Sequence, residues 1–343
     1  MNSTKIKKGI YKIDKINPVR QDKPDDLFIC ASSFEERCRE VPSRLTISSY
    51  KTSYSIMFNY YGGRRQALRL FNRTKILDYL SLVTINKPVK QINCDRVEPL
   101  DGMEKLVDIF NKISLKQKGM VVTIDISTFT KQYLLVLLRK IESLLEPDYI
   151  RLLYTEPGVY GKGEFKRLSF GVKSAVVVPG FVGKEVEGGN LLLVVFLGYE
   201  VHRTLAVIEK YEPDLLIAVV GNPPYYEGWK EFSIKAHQYL LSKPDVLKYE
   251  MPAREPNIVR DELIKIFKDF YKDFPNIYIS PTGTKLQTVG IYEFVRRYQM
   301  TRIVYAIPKD YLERYYTIGS GEMWEYYLNL TPPMSITEDK NED

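Results

Sequence analysis

Short apolar runs rich in Val, Ile, Leu, Phe and Tyr recur along the chain and alternate with longer segments whose apolar residues return at helical spacing. Runs such as DLFIC, VVTID, LLLVVF and LLIAVV are apolar almost throughout, the pattern of strands covered on both faces. QYLLVLLRKIESLL and LQTVGIYEFVRRY instead carry the period of helices. Strand alternating with helix predicts an α/β fold with mostly parallel sheets joined by crossover helices.

The pattern occurs twice, with the same landmarks in the same order. DLFICASSFEERC reads as a strand and a turn bearing Phe34, Glu35 and Arg37, and NLLLVVFLGYEVHR as a strand ending at Gly198 followed by Tyr199, Glu200 and Arg203. A second strand ends at Asn59 in YSIMFNYY and at Asn222 in LLIAVVGNPPYY. VVTIDISTFTK and NIYISPTGTK share Ile-x-Ile-Ser and then Thr-x-Thr-Lys, once one inserted proline is allowed, and end at Lys131 and Lys285. This self-similarity predicts a tandem duplication, with Rossmann-like modules at 25–160 and 190–330. A glycine- and lysine-rich linker is expected at 161–189, a basic arm at 1–24 and a disordered tail at 331–343.

Composition narrows the chemistry. A chain of 343 residues with 44% apolar content can bury a sizeable core. It has no run near the ~20 apolar residues of a membrane span, and its first residues lack the apolar middle of a signal peptide, so a cytoplasmic protein without a membrane partner is expected. Three cysteines, Cys30, Cys38 and Cys94, fit no disulfide framework, and neither His202 nor His237 stands at ligand spacing, so no metal and no cofactor are expected. The net charge of +7 is spread along the chain and does not by itself assign a nucleic-acid partner.

Loops after the strand ends of a parallel sheet gather on one edge, where helix N-termini present N–H groups and positive partial charge to an anion. There Ser280, Thr282 and Thr284 would offer hydroxyls, Gly283 a close approach and Lys285 a cation, with Thr128, Thr130 and Lys131 as their counterparts. The plainer reading is a capped helix with its lysine in solvent. Beside Gly198, Glu200 could hold a ribose hydroxyl and Arg203 clamp a phosphate, or the two could form an ordinary salt bridge. Asp125, at a strand end, is either a functional carboxylate or a cap.

Ser280-Pro281-Thr282-Gly283-Thr284-Lys285 resembles the Thr-Gly-Gly-Thr-Lys turn of CARF-type (CRISPR-associated Rossmann fold) sensor domains, although Pro281-Thr282 replaces the usual Thr-Gly. The resemblance implies binding of a cyclic oligonucleotide across a homodimer interface, with contacts carried to Thr282, Gly283, Thr284 and Lys285, in a prokaryotic antiviral system. No fused nuclease domain is legible, so any effector is expected to be a partner protein. Two enzyme readings stand beside it. Asn222-Pro223-Pro224-Tyr225 matches the base-clamping motif of adenine-N6 methyltransferases, and Asp125 or Glu200 would serve a nucleotide-processing hydrolase.

Overall fold

The computed structural model describes residues 9–330 apart from 21–22, 114, 116–118, 161–167, 315 and 329. These fall into two compact units, one built from the described residues up to Leu168 together with Tyr311–Leu328, the other from Ser169–Asp310.

The first unit contains β1 (Ile10–Lys12), β2 (Asp25–Ser32), α1 (Glu40–Thr46), β3 (Thr52–Tyr60), α2 (Gln66–Val83), β4 (Lys90–Cys94), α3 (Pro99–Ile113), β5 (Val121–Asp125), α4 (Lys131–Leu145) and β6 (Tyr149–Tyr160). Strands β4-β3-β2-β5-β6 lie side by side and parallel. The chain steps outward from β2 through β3 to β4, then returns to the other side of β2 as β5, so the order reverses between β2 and β5. Crevices at such reversals bind ligands in open α/β sheets.

The second unit holds β7 (Ser169–Val177), β8 (Leu191–Phe196), α5 (Val201–Tyr211), β9 (Leu215–Gly221), α6 (Trp229–Ala236), α7 (Gln238–Leu241), β10 (Val246–Met251), α8 (Pro256–Phe270), β11 (Asn276–Ser280), α9 (Lys285–Arg297) and β12 (Arg302–Tyr311). Its parallel strands take the order β10-β9-β8-β11-β12, which is the order of the first unit, with the reversal between β8 and β11. The expected α/β class with two Rossmann-like modules is what the chain adopts.

The most apolar runs form the central strands. All of β5 and β11 is buried, as are the last five residues of β8. Each unit has its own apolar cluster against the sheet, including Phe28, Met57 and Leu153 in the first and Leu193, Ala218 and Val304 in the second. The helices that follow the two Thr-x-Thr-Lys turns are among the most enclosed: α4 is buried from Gln132 to Leu138 and α9 from Leu286 to Arg296. Burial on that scale fixes the turns at their N-termini.

Three strands at or near the sheet edges depart from the expected layout. Ser169–Val177, within the expected linker, forms β7 beside β12. The segment after β12 forms β13 (Thr317–Tyr327), which pairs antiparallel with β6 in the first unit, and β1 from the expected arm pairs antiparallel with β13. Their polar and apolar residues interleave, as suits strands with one face in water, and so lack the continuous apolar runs of the central strands. The expected tail at 331–343 and arm residues 1–8 lie outside the described residues. Among the described residues no helix is long and apolar enough to cross a membrane, and no three metal-ligating side chains cluster.

Candidate functional site

The turn between β11 and α9 is tied to its surroundings by the hydroxyls expected to face a ligand. Thr282 donates its hydroxyl to the carbonyl of Phe196 at the end of β8. Thr284, in extended conformation at the helix N-cap, accepts from Gln287 N–H at 3.0 Å and donates to the Ala253 carbonyl at 2.7 Å. Gln287 returns a bond by accepting from Thr284 N–H at 2.9 Å, which completes a capping box. That box was visible in the sequence as Thr284-x-x-Gln287, a signal the motif reading passed over.

These bonds correct the picture of a hydroxyl cradle. The Thr282 and Thr284 hydroxyl protons are committed to backbone carbonyls, so both side chains shape the turn from within. Of the first-turn N–H groups of α9, which have no intrahelical acceptors, that of Gln287 is taken by Thr284, and Lys285 at the first helical position is partly exposed. Ser280, at the tip of β11, is fully buried and its hydroxyl has no hydrogen-bond partner among the described residues. A Cβ on Gly198 would run into the Thr282 carbonyl, so this glycine lets the ends of β8 and β11 close on each other. A Cβ on Gly283 would meet the Gln287 amide and come within 3.1 Å of the Phe196 side chain.

The first unit builds its turn the same way. Thr128 donates to the carbonyl of Ala31 in β2 at 2.7 Å, Thr130 caps α4 by accepting from Tyr133 N–H at 3.3 Å, and Lys131 is the first helical residue. Asp125 accepts from the N–H of Ser127 at 2.9 Å and from its hydroxyl, and so holds the start of the turn. It is buried, and the cap of α4 is Thr130 rather than Asp125. The hydrolase reading of Asp125 therefore has no exposed carboxylate to work with.

Glu200 and Arg203 form the salt bridge weighed as an alternative from sequence, at 3.2 Å with both side chains less than a tenth exposed. Glu200 also accepts from the Ser169 hydroxyl at 2.6 Å, while Arg203 donates to the Ala306 carbonyl and lies over the Tyr305 ring. In the structure the pair ties the start of α5 to β7 and β12. Asn222 donates to the Glu250 carboxylate, and its N–H bonds the Met251 carbonyl at 2.8 Å. Tyr225 is buried with the Arg254 guanidinium over its ring, so it presents no free face to a flipped base. The methyltransferase clamp is not assembled.

Sequence reasoning missed an aromatic group beside Gly198. Tyr199 stacks on Phe232 at 4.6 Å and leans on Trp229 at 5.6 Å, which in turn meets Tyr226 edge-on. Burial pushes the Tyr199 hydroxyl up to about 12. These rings come from the loop after β8 and from α6 and the loop before it, and only the fold gathers them.

No protein-family model and no curated protein sequence matches the chain. Among solved structures it shows partial likeness to Can2 from Sulfobacillus thermosulfidooxidans in complex with cyclic tetra-adenylate, at 16% identity over 38% of this chain and 37% of that one, with a TM-score of 0.26. A type III CRISPR defence DNA nuclease activated by cyclic oligoadenylate is similar over 79% of this chain and 63% of its own, at 8% identity and a TM-score of 0.47. The chain thus spans less than two thirds of either protein.

Proposed function

We propose that the second unit binds a phosphate-bearing nucleotide, a cyclic oligonucleotide in particular, at the edge formed by the ends of β8 and β11. The observation that carries this reading is the Thr282-Gly283-Thr284-Lys285 turn. It sits at the reversal of strand order and opens into the buried helix α9, whose first residue is Lys285. An anion there gains from the helix-end N–H groups and the dipole together. The stacked Tyr199 and Phe232 next to Gly198 would offer an apolar wall to a base.

The ligand class and the biological role follow the resemblance of this turn to CARF-type sensors: a sensor or accessory component of prokaryotic antiviral defence, passing its signal to a separate effector protein. A homodimer belongs to the same proposal, as does an origin of the two units by tandem duplication, supported by their shared strand order and matching turn bonds. The test is thermal unfolding of the full chain with cyclic tri-, tetra- and hexa-adenylate, linear adenylates and S-adenosylmethionine. A ligand of the native state raises the unfolding temperature. The proposal expects a cyclic oligoadenylate to do so and the response to shrink in Lys285→Ala. Stabilisation by S-adenosylmethionine alone, or a cyclic-adenylate response indifferent to Lys285→Ala, would overturn it.

A further inference from the structure

We propose that two copies of the chain associate through the outer edge of β10, pairing antiparallel about Tyr249 so that their second-unit sheets run on as one. β10 ends the six-stranded sheet, and among the described residues no strand lies beyond it. Its ladder with β9 is unbroken from Val246 to Met251. An open edge of that kind is a template for another strand.

The direction of the backbone groups fixes what this edge presents. The Met251 carbonyl accepts from Asn222 N–H, just past the end of β9, at 2.8 Å, so the main-chain groups of Met251 turn toward β9. By the alternation of a strand those of Tyr249 and Leu247 do the same, and the N–H and C=O groups of Lys248 and Glu250 turn outward. The Lys248 and Glu250 side chains are exposed, whereas Leu247 and Tyr249 are half-buried.

Antiparallel pairing about Tyr249 sets Lys248 of each copy against Glu250 of the other, and the two-fold axis makes the contact twice. In that register each Lys248 and the Glu250 opposite exchange both N–H···O=C bonds, and their opposite charges attract. Centring the pair on Lys248 or on Glu250 instead brings like charges together, as does parallel pairing in register. Of these alignments only the first opposes the charges. Glu250 already accepts from Lys230 at 2.6 Å and from Asn222, and its half-exposed carboxylate keeps lone pairs for a second ammonium.

The strands at the other sheet ends lack this match. β7 is interrupted at Gly171, with φ of +57°, and β1 has three residues. β4 carries a single charge, Lys90, and its Gln91 is engaged by Arg73. Beside β10, the helices packed against it, α7 and α8, leave Tyr239 and Ile258 exposed as apolar area. The pairing gives the homodimer of the ligand reading a surface, but it rests on β10 alone and needs no nucleotide.

Sedimentation velocity of the full chain over a concentration series, at low salt and without nucleotide, reads the self-association. The wild type is expected to form dimers. Lys248→Glu and Glu250→Lys each set like charges across both contacts and are expected to weaken the dimer about tenfold. An equimolar mixture of the two variants opposes the charges again, and is expected to recover the dimer as a heterodimer, which a folding defect in either chain would not allow. A monomeric wild type, a dimer indifferent to both substitutions, or variants that stay apart when mixed would each overturn the proposal. Because no nucleotide is present, failure of the thermal-unfolding test would leave these outcomes unchanged.

Discussion

Arg203 donates to the carbonyl oxygen of Ala306 twice, through Nε at 3.1 Å and Nη2 at 2.8 Å, and so clips the start of α5 to β12. Arg37 makes the corresponding bond in the first unit, to the Thr155 carbonyl in β6 at 2.9 Å. Each arginine lies over the tyrosine just before its acceptor, Tyr305 or Tyr154, and pairs with a glutamate, Glu200 or Glu35. Each glutamate also accepts the hydroxyl of the first residue of the strand that follows in its sheet, Ser169 of β7 or Thr317 of β13.

Removing either arginine strands a buried carboxylate. Breaking a buried ion pair from one side costs about 3–5 kcal/mol. The Arg37–Glu35 side chains are 1% and 2% exposed, whereas Arg203 and Glu200 are 8% and 9% exposed. Urea unfolding should therefore show a larger loss for Arg37→Ala than for Arg203→Ala, each referred to its own unit's transition. Equal or negligible losses would mean that water already reaches these pairs.

Gly198→Ala places a methyl group against the Thr282 carbonyl, which belongs to backbone and cannot swing aside. The ends of β8 and β11 must part, at about 1–3 kcal/mol for an overpacked site. Thermal unfolding should register that loss, together with a weaker cyclic-oligoadenylate response than the wild-type chain gives. An unchanged Tm in Gly198→Ala would contradict the close approach.

How far the sequence disclosed this arrangement depends on the range of the interaction. The central strands were legible because burial on both faces leaves continuous apolar runs, and the last threonine of each Thr-x-Thr-Lys because it caps its helix through a bond only three residues long. Strands β7 and β13 were hidden by their mixed patterning. The Thr282 hydroxyl looked available to a ligand because its acceptor, Phe196, lies 86 residues away. The tie between Arg69 and Glu313 was out of reach for the same reason, since the two are 244 positions apart.

All three cysteines are buried, and burial pushes their thiols up, Cys94 to about 11, Cys38 to about 12 and Cys30 well above its usual range. The reactive species is the thiolate, so the native chain should be inert to Ellman's reagent at pH 8. Unfolding in urea should release all three to rapid reaction. Fast labelling of one thiol without denaturant would show that its unit opens locally.

His237 is buried, accepting from or donating to Thr204 through Nε2 at 3.2 Å and facing the Ser233 carbonyl through Nδ1 at 3.0 Å. Burial lowers its pKa from the ordinary 6.5, partly countered by the bond to Ser233. The unfolded chain therefore takes up a proton at a higher pH than the folded one. The contribution of His237 is complete above 6.5 and is lost as pH falls through the interval below it. Unfolding free energies between pH 7.5 and 5 should decline less steeply in His237→Gln than in the wild type, and equal slopes would remove the histidine from the account.

Thr128→Val and Thr282→Val test whether the two turns are built alike. Each substitution keeps the shape of the side chain and deletes one hydroxyl, whose proton is donated to Ala31 in the first unit and to Phe196 in the second. The carbonyl left behind is buried at a strand end, and a buried acceptor without its donor costs about 1–3 kcal/mol. Because both threonines are nearly buried, at 2% and 8% exposure, water cannot fully replace either hydroxyl, and the two losses should agree within about 1 kcal/mol. Thr282→Val should also weaken any ligand bound at the α9 N-terminus, through displacement of the turn, whereas Thr128→Val should not. If Thr282→Val left stability intact and abolished binding, the hydroxyl would belong to the ligand and not to the turn.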